Sequence, residues 1–189
     1  MDAIMMSLVA VALANADGRA GLFFARLLAV RSDARVVIGA AIGAFLLNAT
    51  VAAVLGALAN RTIGPGIAAL LAALALLSAA VGLLWRWPRG QNDAAEPQGS
   101  GAALAARLVI AQFGDRSHFL IGALAATSGA GLWAAAGGAI GWTIALLPFL
   151  AFGPALAERR GLGWLRCGAA LALAVWGVRV AIGAFGLIG

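Results

Sequence analysis

Apolar positions run almost without interruption along this chain, over residues 3–30, 36–59, 63–85, 101–126, 131–157 and 162–188. Each run is near or above the roughly 20 residues that an α-helix needs to cross a bilayer. Strands of a membrane barrel would be about 10 residues long and would alternate apolar with polar positions. These runs are instead continuous and rich in Ala, Leu and Gly. The pattern predicts an all-α membrane protein with six transmembrane helices. The one polar stretch rich in Gly and Pro, RWPRGQNDAAEPQGSG at 86–101, joins the third run to the fourth and reads as a flexible linker.

The two halves resemble each other. AAIGAFLLNATVAAVLGALA at 40–59 lies over GAIGWTIALLPFLAFGPALA at 138–157 without a gap, in a register of 98 residues. The same shift brings Asp17 of ANADGRAGLFF onto Asp115 of AQFGDRSHFLI, and a shift of 97 brings Asn15 onto Gln112 and Arg19 onto Arg116. Three helices per repeat is an odd number, so the second copy would enter the membrane from the opposite side. Residues 1–85 and 101–189 are therefore expected to form two inverted three-helix repeats, joined by a cytoplasmic linker at 86–100. That architecture belongs to secondary transporters, whose substrate site lies near the midplane between the repeats. Asp115 falls near the middle of the fourth run, about 16 Å in at 1.5 Å per residue, and Asp17 is similarly deep in the first.

Composition strengthens this picture: 63% of the 189 residues are hydrophobic and only 11% are charged. The net charge of +6 comes from arginine alone, but the arginines do not cluster on a soluble face, so no nucleic-acid partner is expected. They mark topology instead. Arg31, Arg35, Arg86, Arg89, Arg159, Arg160 and Arg166 lie in or beside the first, third and fifth loops, whereas the alternate loops hold only Arg61. With the positive loops inside, both termini face outward, as in a bacterial-type inner membrane. LVAVALANADG near the start imitates a signal-peptidase site, but it carries Asp2 and no basic residue before the apolar run, so it is read as part of the first span. The single cysteine, Cys167, is read as a packing residue.

Charge inside an apolar helix costs a few kcal/mol and normally faces a partner or a ligand. Asp17 with Arg19, and Asp115 with Arg116, could form ion pairs that serve only helix association. They could also build a site. Ca²⁺ and Mn²⁺ prefer oxygen ligands, which Asn15, Asp17, Gln112 and Asp115 supply, with Ser117 in support. Two carboxylates neutralise one divalent ion, and protonation replaces the ion when it leaves, so cation/proton exchange is the expected chemistry. His118, three residues from Asp115, is either a hydrogen-bonded structural residue or a relay or ligand. Adjacent Ser117 and His118 also raise an intramembrane serine protease, which the absence of a second histidine argues against. No enzyme activity, cofactor or nucleotide loop is expected. Arg179 in AVWGVRVAIG reads as a further buried charge, snorkelling or paired with a helix carbonyl or an acidic side chain.

QFGDRSHF resembles the signature Glu-x-Gly-Asp-[Lys/Arg]-[Ser/Thr] of the Gdt one family, also called the transmembrane protein 165 family of manganese and calcium transporters. Gly114, Asp115, Arg116 and Ser117 match it. The resemblance covers the whole chain and implies two inverted three-helix repeats, each with one signature in its first helix, and divalent cation/proton antiport through the signature acids. Gln112 stands where the signature has Glu, and the first motif reads NADGRA, with Asn15 for Glu and the Gly-Asp order inverted. Two carboxylates remain where the family has four. The expectations are therefore a Mn²⁺ or Ca²⁺ antiporter whose partners are the lipid bilayer, the cation and protons. Alternatives are a degenerate, non-transporting membrane protein of the same fold, or an exporter of another small solute. A homo-oligomer is left open.

Overall fold

A computed structural model describes residues 2–85, 100–153, 156 and 161–186. Eight helices are found among them, and no strand: α1 (Asp2–Ala14), α2 (Arg19–Val30), α3 (Ala34–Thr62), α4 (Pro65–Leu84), α5 (Gly101–Gln112), α6 (Arg116–Ser128), α7 (Gly131–Phe152) and α8 (Gly161–Ala184). The linker at 86–99, with Arg86 and Arg89, lies outside the described residues, as do Arg159 and Arg160. α3, α4, α7 and α8 are each long and apolar enough to cross a membrane. α1 and α2 together make a fifth span if the pair is counted as one, although they bend by 70° at the break between them. The protein is thus an all-helical membrane protein with four or five candidate spans.

The first and fourth apolar runs, expected as continuous helices, are each broken in the middle. In the first, the Asn15 side-chain amide donates to the Val11 carbonyl at 2.8 Å, alongside its own backbone N–H at 3.2 Å. Asn competes in this way with regular helix continuation. Gly18 then adopts φ +69°, a left-handed conformation that ends a helix at little cost only when the residue is Gly. In the fourth run, Phe113 turns extended and Gly114 takes φ +75°. Asp115 restarts the chain as the N-cap of α6, accepting from the Ser117 backbone N–H at 3.4 Å.

Close backbone contact holds the long helices together. Gly137 and Gly141 on α7 face the Ile4 and Leu8 carbonyl oxygens of α1, which a Cβ at either glycine would strike. Such small-residue seams let helices approach where lipid gives no hydrophobic driving force. A buried hydrogen bond from the Ser7 hydroxyl to the Ala134 carbonyl, 2.6 Å, joins the same two helices. On the other flank, α3 packs along α6 and α5, and the Asn48 amide donates to the Val109 carbonyl at 2.9 Å. α8 packs mainly on α4 and leaves Cys167 and Arg179 exposed, so neither is the buried residue that the sequence suggested.

Substituting Gly141 with Val forces α7 away from α1. The expected result is a loss of about 1–3 kcal/mol, the usual cost of overpacking, read as an earlier unfolding midpoint in detergent. The same change at Gly43, beside which there is open space, is expected to cost far less.

Candidate polar centre at two helix breaks

The breaks carry the two polar motifs, and the fold brings these segments, about 100 residues apart, into contact. Arg116, the first residue of α6, donates from Nη2 to Asp17 Oδ2 at 2.5 Å. Arg19, the first residue of α2, reaches the same oxygen from Nε at 3.3 Å, and its backbone N–H donates to Asp17 Oδ1 at 3.3 Å. The Asp17 side chain is only 4% exposed. A carboxylate so withdrawn from water needs charged donors, and it has two guanidinium groups.

The same cations anchor the break to α4. Arg19 Nη2 donates to the Trp85 carbonyl at the C-terminal end of α4, 3.0 Å away. Arg116 runs past Gly82, where a Cβ would lie 3.5 Å from its Nη1. On the α4 side the ion-paired cluster is therefore level with the last turn of the helix rather than its middle. A cation at a helix C-terminus also meets the negative end of the helix dipole.

Asn15 makes the second link. Its Nδ2 donates to Ser117 Oγ at 2.9 Å, and both residues are buried. Asp115 behaves differently from Asp17: it is half-buried, it caps α6, and no ion pair engages it among the described residues. The expected set of Asn15, Asp17, Gln112 and Asp115 is thus divided. Asn15 and Asp17 bond to the Ser117 and Arg116 side chains, whereas the carboxylate of Asp115 turns to its own helix. Among the described residues no group of three or more His, Cys, Asp or Glu is placed to hold a metal ion.

Deeper in the bundle lies His118, 5% exposed, with its ring 4.8 Å from that of Phe45. Phe45 stacks on Trp142 at 4.4 Å, and Trp142 meets Phe24 edge-on at 5.7 Å. Among the described residues neither His118 nitrogen nor the buried amide atoms of Gln112 make a well-aligned hydrogen bond, the backbone groups of Phe45 and Gln112 being those that approach the imidazole. Sequence reading had missed Phe45, Asn48 and Trp142 around this region. Asn48 carried a visible signal, being an amide inside the apolar stretch FLLNATV. It had also missed Phe149, whose ring lies against Gly18 and Gly21 and covers the first break, while nothing lies within 4 Å of the corresponding space at Gly114.

No family model, curated protein or solved structure matches this chain.

Arg116→Ala leaves Asp17 with Arg19 alone, and a loss of about 3 kcal/mol is expected from breaking a buried pair. The combined Asp17→Asn, Arg116→Gln protein should recover much of it in a double-mutant cycle of thermal or denaturant unfolding. Equal stability of the wild type and Arg116→Ala would mean that Arg19 suffices. His118→Leu removes two buried nitrogens that lack a well-aligned hydrogen bond, so the same assay is expected to show no loss, or a gain of about 1 kcal/mol. A loss beyond about 2 kcal/mol would reveal partners such as buried water.

Proposed function

We propose that the protein is a membrane carrier rather than an enzyme, a secondary transporter that exchanges a divalent cation, Mn²⁺ or Ca²⁺, for protons. In this reading residues 1–85 and 101–189 are two inverted repeats giving six spans, with α1–α2 and α5–α6 as the interrupted first helix of each. The interruptions support the repeat, since Gly18 and Gly114 fall at nearly equivalent places in the register of 98 residues. The observation that carries the reading is the Asp17–Arg116 bond, which joins the polar segments of the two halves where both helices break. Discontinuous helices that meet at ionisable side chains are how carriers build ion sites inside a membrane.

Charge balance gives the mechanism. Asp17 and Asp115 are matched by Arg19 and Arg116, so the centre carries no net charge with no ion bound. Arg116 and Arg19 then stand in for the cation at Asp17. An arriving divalent ion would displace Arg116 from the carboxylate and use the oxygens of Asn15, Asp17, Gln112 and Asp115, with Ser117 and His118 at hand; in the exchange, protons on the carboxylates would replace the leaving ion, and their release would let Arg116 return to Asp17. The protein would lie in a bacterial-type inner membrane with both termini outside, its arginine-rich loops inside.

A second reading is favoured by the same pairing. Because two guanidiniums already satisfy Asp17, and no acidic cluster is found among the described residues, the chain could be a non-transporting relative that keeps the fold. Flux into proteoliposomes under an imposed pH gradient separates the two. Proton-driven Mn²⁺ or Ca²⁺ flux is expected in the wild type, with a loss of tenfold or more, about 1.4 kcal/mol in the barrier, in Asp17→Asn and in Asp115→Asn. A folded wild type that moves neither ion would favour the second reading, and flux of both ions undiminished in both variants would remove the aspartates from the site.

A further inference from the structure

An apolar surface groove lies between α2, α3 and α7 and shares Phe24 and Trp142 with the aromatic stack beside His118. Phe24 and Leu28 form one wall, Ile38 and Ile42 the other, and Trp142 and Leu146 line it from α7. Trp142 is 3% exposed, whereas Ile38 and Ile42 are 41% exposed at the rim. Gly39 and Gly43, each one residue further along α3, have nothing within 4 Å and keep the adjoining surface bare. Lined in this way, the groove has the chemistry of a hydrocarbon chain.

The α3 wall also carries charge one turn before Ile38. Arg35 stands three residues before Ile38 and seven before Ile42, a spacing that puts all three on one stripe of α3. Arg35 is exposed and makes no hydrogen bond or ion pair among the described residues. Its neighbour Arg31 is held against Asp33, with Nε to Oδ1 at 2.8 Å and Nη2 to Oδ2 at 2.8 Å. That hydrogen bond keeps the Asp33 carboxyl below the usual carboxylate range, so Asp33 stays ionised and committed to Arg31 at neutral pH.

We propose that the α2–α3–α7 groove is a binding site for one anionic phospholipid, with an acyl chain along Ile38, Ile42 and Trp142 and the phosphate at Arg35. Bulk lipid tails are as apolar as the groove, so burial alone gives no preference. The chain is held by close packing, and selection between lipids comes from the headgroup charge. This site does not depend on the transport reading and would exist equally in a non-transporting protein.

The test uses the full chain in detergent, with native mass spectrometry counting bound lipid and thermal unfolding as a control for folding. Phosphatidylglycerol, phosphatidylcholine and glycerol 3-phosphate are added in separate arms. Preferential retention of one phosphatidylglycerol over phosphatidylcholine is expected, by about fivefold, the factor one cationic side chain supplies at a membrane surface. Arg35→Gln should abolish that preference, and Ile42→Trp, which fills the groove from an exposed position, should reduce lipid retention, both with wild-type unfolding in phosphatidylcholine. Retained preference in Arg35→Gln, undiminished retention in Ile42→Trp, or equal binding of glycerol 3-phosphate would each overturn the proposal.

Discussion

The contact of Asp17 with Arg116 and Arg19 is the constraint around which the rest is arranged. Two helices stop and restart inside an apolar bundle, and each stop leaves polar groups where lipid offers no hydrogen bonds. Tight turns meet part of the demand, through Gly18 N–H to the Asn15 carbonyl at 3.0 Å and Asp115 N–H to the Gln112 carbonyl at 3.1 Å. The ion pair meets the rest. It neutralises Asp17 with cations from α2 and α6, and through Arg19 and the Trp85 carbonyl it fastens the break to the end of α4.

The two breaks are alike in sequence but differ in their surroundings. Phe149 lies on Gly18 and Gly21, and the Asp17 side chain beneath is almost wholly enclosed. At the other break Gly114 faces open space, Phe113 is 73% exposed and Asp115 has no cationic partner among the described residues. Tight packing of α7 on α1 accounts for this difference, because the glycine seam at Gly137 and Gly141 brings the whole of α7, including Phe149, down onto the first broken span.

His118 and Gln112 make a contrasting environment. Their side-chain polar atoms make no well-aligned hydrogen bond among the described residues, and the rings of Phe45 and Trp142 beside the imidazole offer no acceptor. Asn15 and Ser117, the latter next to His118 in sequence, bond to each other, so burial alone does not explain the difference. Buried polar atoms without a well-aligned partner carry a desolvation cost. The polar centre is thus strongly tied on its Asp17 side and weakly tied on its His118 side.

The amino-acid sequence by itself determined that this is a helical membrane protein, because six long apolar runs cannot be kept in water, and it marked the polar centre, because a cluster of polar residues inside an apolar run is conspicuous. Asn15, Asp17, Arg19, Arg116, Ser117 and His118 were all visible on that ground. The breaks were not read, although Gly18 and Gly114 sit in both motifs, since an isolated Gly in an apolar helix is commonly only a packing residue. Which carboxylate pairs and which caps a helix was decided by tertiary structure alone. An ion pair depends on a few ångströms of separation between segments about 100 residues apart, and that distance is set by how closely α1, α6 and α7 pack. The enclosed aromatic stack around His118 and the groove between α2, α3 and α7 arise for the same reason, from neighbours that only the folded chain brings side by side.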